Sequence, residues 1–162
     1  MNSIKALTDE SELEGGYSFI NICIDNHWLD EILDKIYPDN MFKDLIPTLV
    51  SWMDNNDEKE VVWKRILPET NKVTICPILM CPDDNDFSCT IIVAEIENLG
   101  NIIRWNKLGL DQTTEFEAEK IGTTVDWFND IVSFEFEKTD YLLMLDSFKK
   151  QNEIDLIEQQ KE

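Results

Sequence analysis

Basic side chains are scarce in this sequence of 162 residues, which has 14 Lys and Arg against 34 Asp and Glu and a formal net charge of −20 at pH 7. An electrostatic field of this sign repels nucleic acids and anionic membranes and attracts positively charged partners. We therefore expect no nucleic acid and no membrane as partners, and we expect a protein partner with a basic surface. The alternative is that the acidic excess only keeps the chain soluble, although self-repulsion of this size destabilises the compact state.

Segments that define several other protein classes are also absent. The sequence has no run of 18 apolar residues, so it predicts no membrane-spanning helix. Its first 16 residues lack a basic region followed by an apolar run, which predicts no secretory signal and a cytoplasmic location. The four cysteines are then expected to be reduced thiols. The five glycines form neither a phosphate-binding loop nor a dinucleotide-binding motif.

Histidine occurs only once, at His27, in the first turn of a predicted helix. Nucleophilic catalysis usually requires a Ser or Cys beside a His and a carboxylate, and no spacing in the sequence pairs His27 with a thiol. Paired carboxylates can also catalyse reactions, but 34 acidic residues always contain some pair, so their abundance identifies no site. We predict no catalytic residue and no enzymatic activity.

Three cysteines, Cys76, Cys81 and Cys89, are close in sequence. Zinc sites favour paired ligands that one turn of the chain presents together, whereas Cys76 and Cys89 lie in predicted strands, where buried thiols are common packing residues. The turn at 83–86, DDND, lacks the central Gly and the terminal Glu of an EF-hand loop. We therefore predict no metal and no cofactor. The turn is interpreted as a polar connection, with a cation site or an acidic recognition patch as alternatives.

Hydrophobic periodicity predicts an α+β fold. The predicted helices are 28–36, 42–53 and a last one that begins at Thr139 or Asp140. The predicted strands are 17–24, 61–67, 73–80 with Pro77 at an edge or a bulge, a hairpin of 89–96 with 101–110 in which 89–96 is central, and 132–138. Because the strands are grouped, we expect a mainly antiparallel sheet of about five to six strands with helices packed on it. One domain is expected over 1–162, with flexible ends at 1–16 and 151–162.

Three segments, VVWKRILP (61–68), CPILMCPDDNDFSCTIIVAEIE (76–97) and IIRWNKLGLD (102–111), resemble stretches of small bacterial immunity proteins of the polymorphic-toxin kind. Such proteins often have a high acidic content and W-x-R-x-G-type strand endings. Trp63-Lys64-Arg65-Ile66 resembles that ending without its Gly, and Trp105-Asn106-Lys107-Leu108-Gly109 resembles it with Lys in place of Arg. The resemblance implies a cytosolic inhibitor that binds a cognate toxin, many of which are basic nucleases.

The toxin-binding residues are expected in the two most concentrated acidic loops. These residues are Asp54, Asp57, Glu58 and Glu60 in the first loop, and Asp83, Asp84 and Asp86 in the second. Their carboxylates would pair with Lys or Arg of the toxin around an aromatic anchor. The alternatives are a solvated rim that contributes only solubility, an acidic regulatory or structural protein-binding module, and a carboxylate- or metal-dependent enzyme.

Overall fold

A computed structural model describes residues 1–10 and 16–161 of the chain. Its fold is α+β, as predicted, with two antiparallel sheets in the described residues where one was expected. The helices are α1 (Leu29–Ile36), α2 (Asn56–Arg65) and α3 (Lys138–Gln160). The strands are β1 (Ile4–Glu10), β2 (Ser18–Ile24), β3 (His27–Trp28), β4 (Ile46–Pro47), β5 (Val73–Met80), β6 (Ile91–Asn98), β7 (Ile102–Asp111), β8 (Val125–Trp127) and β9 (Phe134–Glu137).

The larger sheet has the order β4-β5-β6-β7-β8, and β9 pairs with the opposite end of β7. β6 is central, as predicted, and its first four residues, which include three β-branched side chains, are buried. The predicted hairpin of β6 with β7 is confirmed. Its turn needs a glycine at Gly100, where φ is 95°, and the Asn98 side chain accepts a hydrogen bond from the Gly100 N–H at 2.9 Å.

Pro77 produces a bulge inside β5, which was one of the two alternatives predicted for it. The pairing of β5 with β6 shifts register between Pro77 and Leu79. A proline has no backbone N–H to donate to the ladder, so the regular register is interrupted at this position. The Pro77 carbonyl instead accepts a hydrogen bond from Thr48 Oγ1 at 2.8 Å, which links the bulge to the chain beside β4.

The smaller sheet has the order β1-β2-β3 and contains the predicted strand at 17–24. The expectation of a flexible arm over 1–16 was wrong for its first part, because Ile4–Glu10 forms β1 and pairs with the whole of β2. Only Ile4 is buried in β1, so this edge strand has little hydrophobic pattern to reveal it. Residues 11–15 of the expected arm lie outside the described residues. His27 is exposed in β3, not in the first turn of α1.

The helix predicted over 42–53 does not form. Its apolar positions are buried as the pattern suggested, but the chain there consists of turns and the two-residue strand β4. Pro47 cannot donate the hydrogen bond that a helix interior needs. Met41 and Asp44 adopt positive φ angles of 59° and 75°, which also exclude a regular helix at the start of the segment. Tertiary burial, not helical periodicity, therefore explains the spacing.

The strand predicted over 61–67 is wrong, because most of that segment is helix α2. Asn55 caps the helix, with its side-chain oxygen accepting from the Glu58 N–H at 3.1 Å. Acidic residues occupy the first turn and Lys64 and Arg65 the last, an arrangement that complements the helix dipole. These terminal signals prevail over the β-branched Val61 and Val62. Trp63-Lys64-Arg65-Ile66 therefore lies at the end of a helix, whereas the related segment from Trp105 to Gly109 lies in β7.

Helix α3 packs against β1, β2, β7 and β9, and both sheets contribute to one hydrophobic cluster. Its buried residues are Tyr141, Met144, Leu145 and Phe148, whereas Leu142 is exposed. The helix also includes residues 151–160, which belong to the end expected to be flexible. Asn152 Nδ2 donates to the Leu49 carbonyl at 2.9 Å, which ties this part of the helix to the core. None of the helices in the described part of the chain has the length and apolar character needed to cross a membrane.

Asp30, in the first turn of α1, is a buried carboxylate. Its Oδ2 atom accepts a hydrogen bond from the Asp44 N–H at 2.9 Å, and its Oδ1 atom accepts from Asn21 Nδ2 at 3.4 Å. Burial outweighs these hydrogen bonds and raises the pKa of Asp30 from 3.8 to about 6. The folded protein therefore holds this proton up to a higher pH than the unfolded chain does.

Because the pKa of Asp30 is raised in the folded state, its contribution to the free energy of unfolding is most favourable below pH 3.8. This contribution declines as the pH rises to about 6. The decline amounts to about 3 kcal/mol. We expect the free energy of unfolding of Asp30→Asn, relative to wild type, to rise by up to this amount between pH 4 and pH 7. Urea titrations at a series of pH values measure it, with the exposed Asp39→Asn as control. Parallel pH profiles for wild type and Asp30→Asn would contradict the assignment.

Candidate binding groove

Three acidic segments that are far apart in sequence meet around one groove of about 420 Å³. One segment is the start of α2, the second is the β5–β6 connection, and the third follows β7. The lining residues are Asp54, Asn55, Glu58, Asp84, Asn85, Asp86, Phe87, Ser88, Asp111, Thr113, Thr114, Glu115, Phe116, Glu117 and Ile121. We call this feature the acidic groove.

Glu58 connects the start of α2 to the β5–β6 connection. Its carboxylate oxygens accept from the Phe87 N–H at 3.2 and 3.3 Å. Burial raises the pKa of Glu58, and the nearby Asp86 carboxylate raises it further, against the lowering effect of the Phe87 hydrogen bond. Asp86 in turn accepts from the Ser88 N–H at 2.8 Å. Two walls of the acidic groove are thus held together by backbone donors, and their carboxylates remain close to each other.

Asp111, the last residue of β7, shapes the third wall. Its Oδ1 atom accepts from the Gly122 N–H at 2.9 Å and from Thr113 Oγ1 at 2.7 Å, and its Oδ2 atom accepts from the Thr113 N–H at 3.2 Å. These bonds join the two ends of the 111–122 segment. The middle of that segment is directed into solvent, where the side chain of Phe116 is fully exposed between Glu115 and Glu117.

The described residues that line the acidic groove include many acidic side chains and no basic one. Seven of its lining residues are Asp or Glu, and none of the described lining residues is Lys, Arg or His. Among residues 1–10 and 16–161, the Lys and Arg ion pairs are made with other carboxylates, namely Glu95, Glu97, Glu135 and Asp146. Within the same residues, Asp54, Glu115 and Glu117 accept no side-chain hydrogen bond and form no ion pair. These three carboxylates are therefore available to an external cation.

The two loops predicted to bind a toxin come together in part. Four of their residues, Asp54, Glu58, Asp84 and Asp86, line the acidic groove. The other three, Asp57, Glu60 and Asp83, are exposed but do not line it.

The third wall was not predicted, because none of the expected toxin-binding residues lies in 111–122. Its contributions are Asp111, Glu115, Phe116 and Glu117. The available signal was the density of carboxylates around an apolar aromatic residue in a segment with no hydrophobic periodicity. A large apolar side chain in such a segment has no core to enter, so exposure was the natural expectation.

Arg65, at the end of α2, holds the third wall against the rest of the fold. Its Nη1 atom donates to the Ile75 and Ile121 carbonyls at 3.2 and 2.8 Å, and its Nη2 atom donates to the Glu119 carbonyl at 2.7 Å. The planar guanidinium presents several donors in a fixed geometry, which a lysine ammonium cannot reproduce. Arg65 is therefore a positioning residue for the acidic groove.

We expect Arg65→Ala to lower the free energy of unfolding by about 1–3 kcal/mol, because it leaves partly buried carbonyls without a charged donor. Amide hydrogen exchange in 111–124 should accelerate as the third wall loosens. Chemical denaturation and exchange mass spectrometry measure both effects, with Lys64→Ala as an exposed control on the same turn. Unchanged exchange in that segment would show that Arg65 does not position it.

The structure also shows where the cysteines and the histidine considered in the sequence lie. Cys76 is buried in β5, and burial raises the pKa of its thiol. Cys81 and Cys89 lie instead in the β5–β6 connection, beside Asp84. His27 is exposed in β3, far from these thiols in sequence.

No protein-family model, no curated protein and no solved structure matches the chain. The geometry of the acidic groove is therefore the main basis for a functional proposal.

Proposed function

We propose that this chain is an immunity protein that binds a cognate basic toxin and neutralises it by direct contact. The observation that carries the proposal is the acidic groove, in which seven carboxylates lie together without a basic residue among the described lining residues. A groove of this composition is suited to Lys and Arg side chains. The resemblance in the sequence to bacterial immunity proteins supports the same function.

The charge of the whole chain favours fast capture of such a toxin. At −20, the protein attracts a positive partner over distances longer than a direct contact. Complementary charge raises association rate constants from about 10⁵–10⁶ to as much as about 10⁸–10⁹ M⁻¹s⁻¹ at low salt. Speed is valuable to a cell that must inactivate a toxin before it acts.

The exposed Phe116 provides the apolar part of the proposed interface. It lies between two carboxylates on the rim of the acidic groove and is fully exposed. Burial of a phenylalanine side chain contributes about 1.5–3 kcal/mol. Aromatic anchors that become buried on binding are common among the residues that contribute most to interface affinity.

The proposed interface is already organised in the unbound chain. Asp111 and Arg65 hold the third wall through hydrogen bonds, and Glu58 joins the first two walls. A preformed site loses less conformational entropy when the partner binds. On a nuclease toxin, such a surface would cover the cations that bind substrate phosphates.

The proposal is tested by co-expressing the chain with a toxin encoded beside its gene and scoring growth and co-purification. We expect growth to be rescued and the two proteins to co-purify as a complex. Rescue should weaken when the carboxylates of the acidic groove are neutralised. A lack of rescue together with a lack of binding would overturn the immunity function, and co-purification without rescue would favour a regulatory binding module.

A further inference from the structure

The β5–β6 connection brings together two thiols and a carboxylate. One ligand atom from each of Cys81, Asp84 and Cys89 lies within 4.8 Å of the other two. Asp84 and Cys89 are exposed and Cys81 is partly exposed, so an ion has access to the group from solvent. We propose that these three side chains bind one Zn²⁺ ion, with water in the fourth position.

The arrangement is close to the geometry that zinc requires. Tetrahedral zinc with bonds of about 2.3 Å to sulfur separates two sulfur ligands by roughly 3.8 Å. The two sulfur atoms lie at most 4.8 Å apart, so they must approach by no more than about 1 Å. Side-chain rotation on a surface loop can supply this movement. The loop is anchored at its base, where Met80 of β5 pairs with Ile91 of β6.

A turn in the backbone explains why residues from this connection converge. The Asn85 N–H donates to the Cys81 carbonyl at 3.0 Å, and Asn85 adopts a φ of 54°. This bond closes a turn over 81–85 that returns Asp84 toward Cys81. The two ligands are separated by two residues, which is the spacing that one turn presents together. Neither the cysteine spacing nor the 83–86 turn predicts this pair, because one ligand comes from each pattern.

The chemical type of the ligand atoms determines which metal ion the site prefers. Two thiolates favour zinc over magnesium or calcium, which bind sets of oxygen ligands. A second feature of the same loop also fits a bound ion with a water ligand. The Oδ1 atom of Asn85 is buried and has no hydrogen-bond partner among the described residues, and a metal-bound water is a strong donor for such an acceptor.

Proton release accompanies binding in this site. Zinc displaces both thiol protons to solvent as the two sulfur–metal bonds form. The bound ion adds a charge of +2 and the two thiolates add −2, so the net charge of the protein is unchanged. Apparent affinity should increase by up to about 100-fold per pH unit while both thiols are protonated.

The experiment uses the full chain, reduced, chelator-treated and kept anaerobic, with Zn²⁺ or Co²⁺ alone as the probe. We expect one ion per chain, thiolate-to-cobalt charge-transfer absorption, and protection of Cys81 and Cys89 from alkylation. Cys81→Ser and Cys89→Ser should each weaken zinc binding by at least about 100-fold, since loss of even an outer-shell group costs about 10- to 100-fold. Asp84→Asn should weaken it less, and the adjacent Asp83→Asn should have no effect. Circular dichroism checks that each variant is folded.

Three results would overturn the zinc site. One is the absence of zinc uptake by the reduced chain. Another is unchanged uptake by the double variant Cys81→Ser/Cys89→Ser, which would place the ion elsewhere. The third is a Cys81–Cys89 disulfide in the isolated protein that resists reduction and excludes metal. The measurement involves no toxin, so its outcome is separate from that of the immunity proposal.

Discussion

Neutralising Asp54, Glu115 and Glu117 together is expected to weaken binding of the proposed basic toxin by about 10- to 100-fold. Each exposed charge pair contributes up to about 1 kcal/mol, and three such losses correspond to that change in Kd. These residues line the acidic groove and form no ion pair within the described chain, so their removal breaks no internal bond. Titration calorimetry of Asp54→Asn/Glu115→Gln/Glu117→Gln against the co-purified toxin measures the effect.

The control variant changes the net charge by the same amount, but at positions outside the acidic groove. Asp57→Asn/Glu60→Gln/Asp83→Asn alters three exposed carboxylates that belong to the same acidic loops but do not line the groove. We expect it to weaken binding by only a few-fold, through loss of long-range attraction. Equal losses in the two triple variants would mean that total charge, not the acidic groove, determines affinity.

Replacement of Trp105 by alanine is expected to lower the free energy of unfolding by about 3–5 kcal/mol. Trp105 is completely buried in β7, with edge-on contacts to Phe136 and Tyr141 at ring-centroid distances of 5.4 and 6.4 Å. Its Nε1–H donates to the Tyr141 hydroxyl at 3.3 Å, and that hydroxyl donates to the Ile66 carbonyl at 2.6 Å. The ring therefore joins β7 to α3 and to the end of α2. Chemical denaturation followed by circular dichroism measures the loss.

Trp127→Ala is the matched control for this prediction. Trp127 is a partly exposed residue of the short strand β8, and Lys107 lies over its ring at 4.4 Å. We expect a loss of about 1–2 kcal/mol, because less apolar surface is buried at this position. If Trp105→Ala cost less than the control, the central place of Trp105 in the core would be refuted. In the expected case, the Trp105 side chain serves the core of the fold.

Local patterns were sufficient for β5, β6, β7 and β9 of the larger sheet, but not for its short strands β4 and β8 or for the elements around it. The β6–β7 hairpin follows from a β-branched run and a turn at Gly100, both of which act within a short stretch of chain. Strand β1 could not be predicted in the same way, because its pairing with β2 stabilises a largely exposed, polar sequence. Helix α2 was mistaken for a strand because Val61 and Val62 were weighed without the cap at Asn55.

The acidic groove could be predicted only in part for a related reason. The density of carboxylates identified Asp54, Glu58, Asp84 and Asp86, but nothing local shows that the two loops adjoin. Their proximity depends on how α2 packs on β5, which is a long-range property of the fold. The third wall depends on donors from Arg65, which is more than 50 residues away from the carbonyls of Glu119 and Ile121. Side-chain composition alone carries no information on such contacts.

The association rate constant with the proposed toxin, measured by stopped flow against salt concentration, is the most direct test of the proposed capture by the acidic groove. Between about 0.01 M and 0.15 M salt the Debye length falls from about 30 to about 8 Å. We predict that the rate constant falls at least about tenfold over this range while the dissociation rate changes little. The Asp54/Glu115/Glu117 triple variant should show a weaker salt dependence than the control triple variant. A rate constant that is independent of salt would contradict electrostatic capture by this groove.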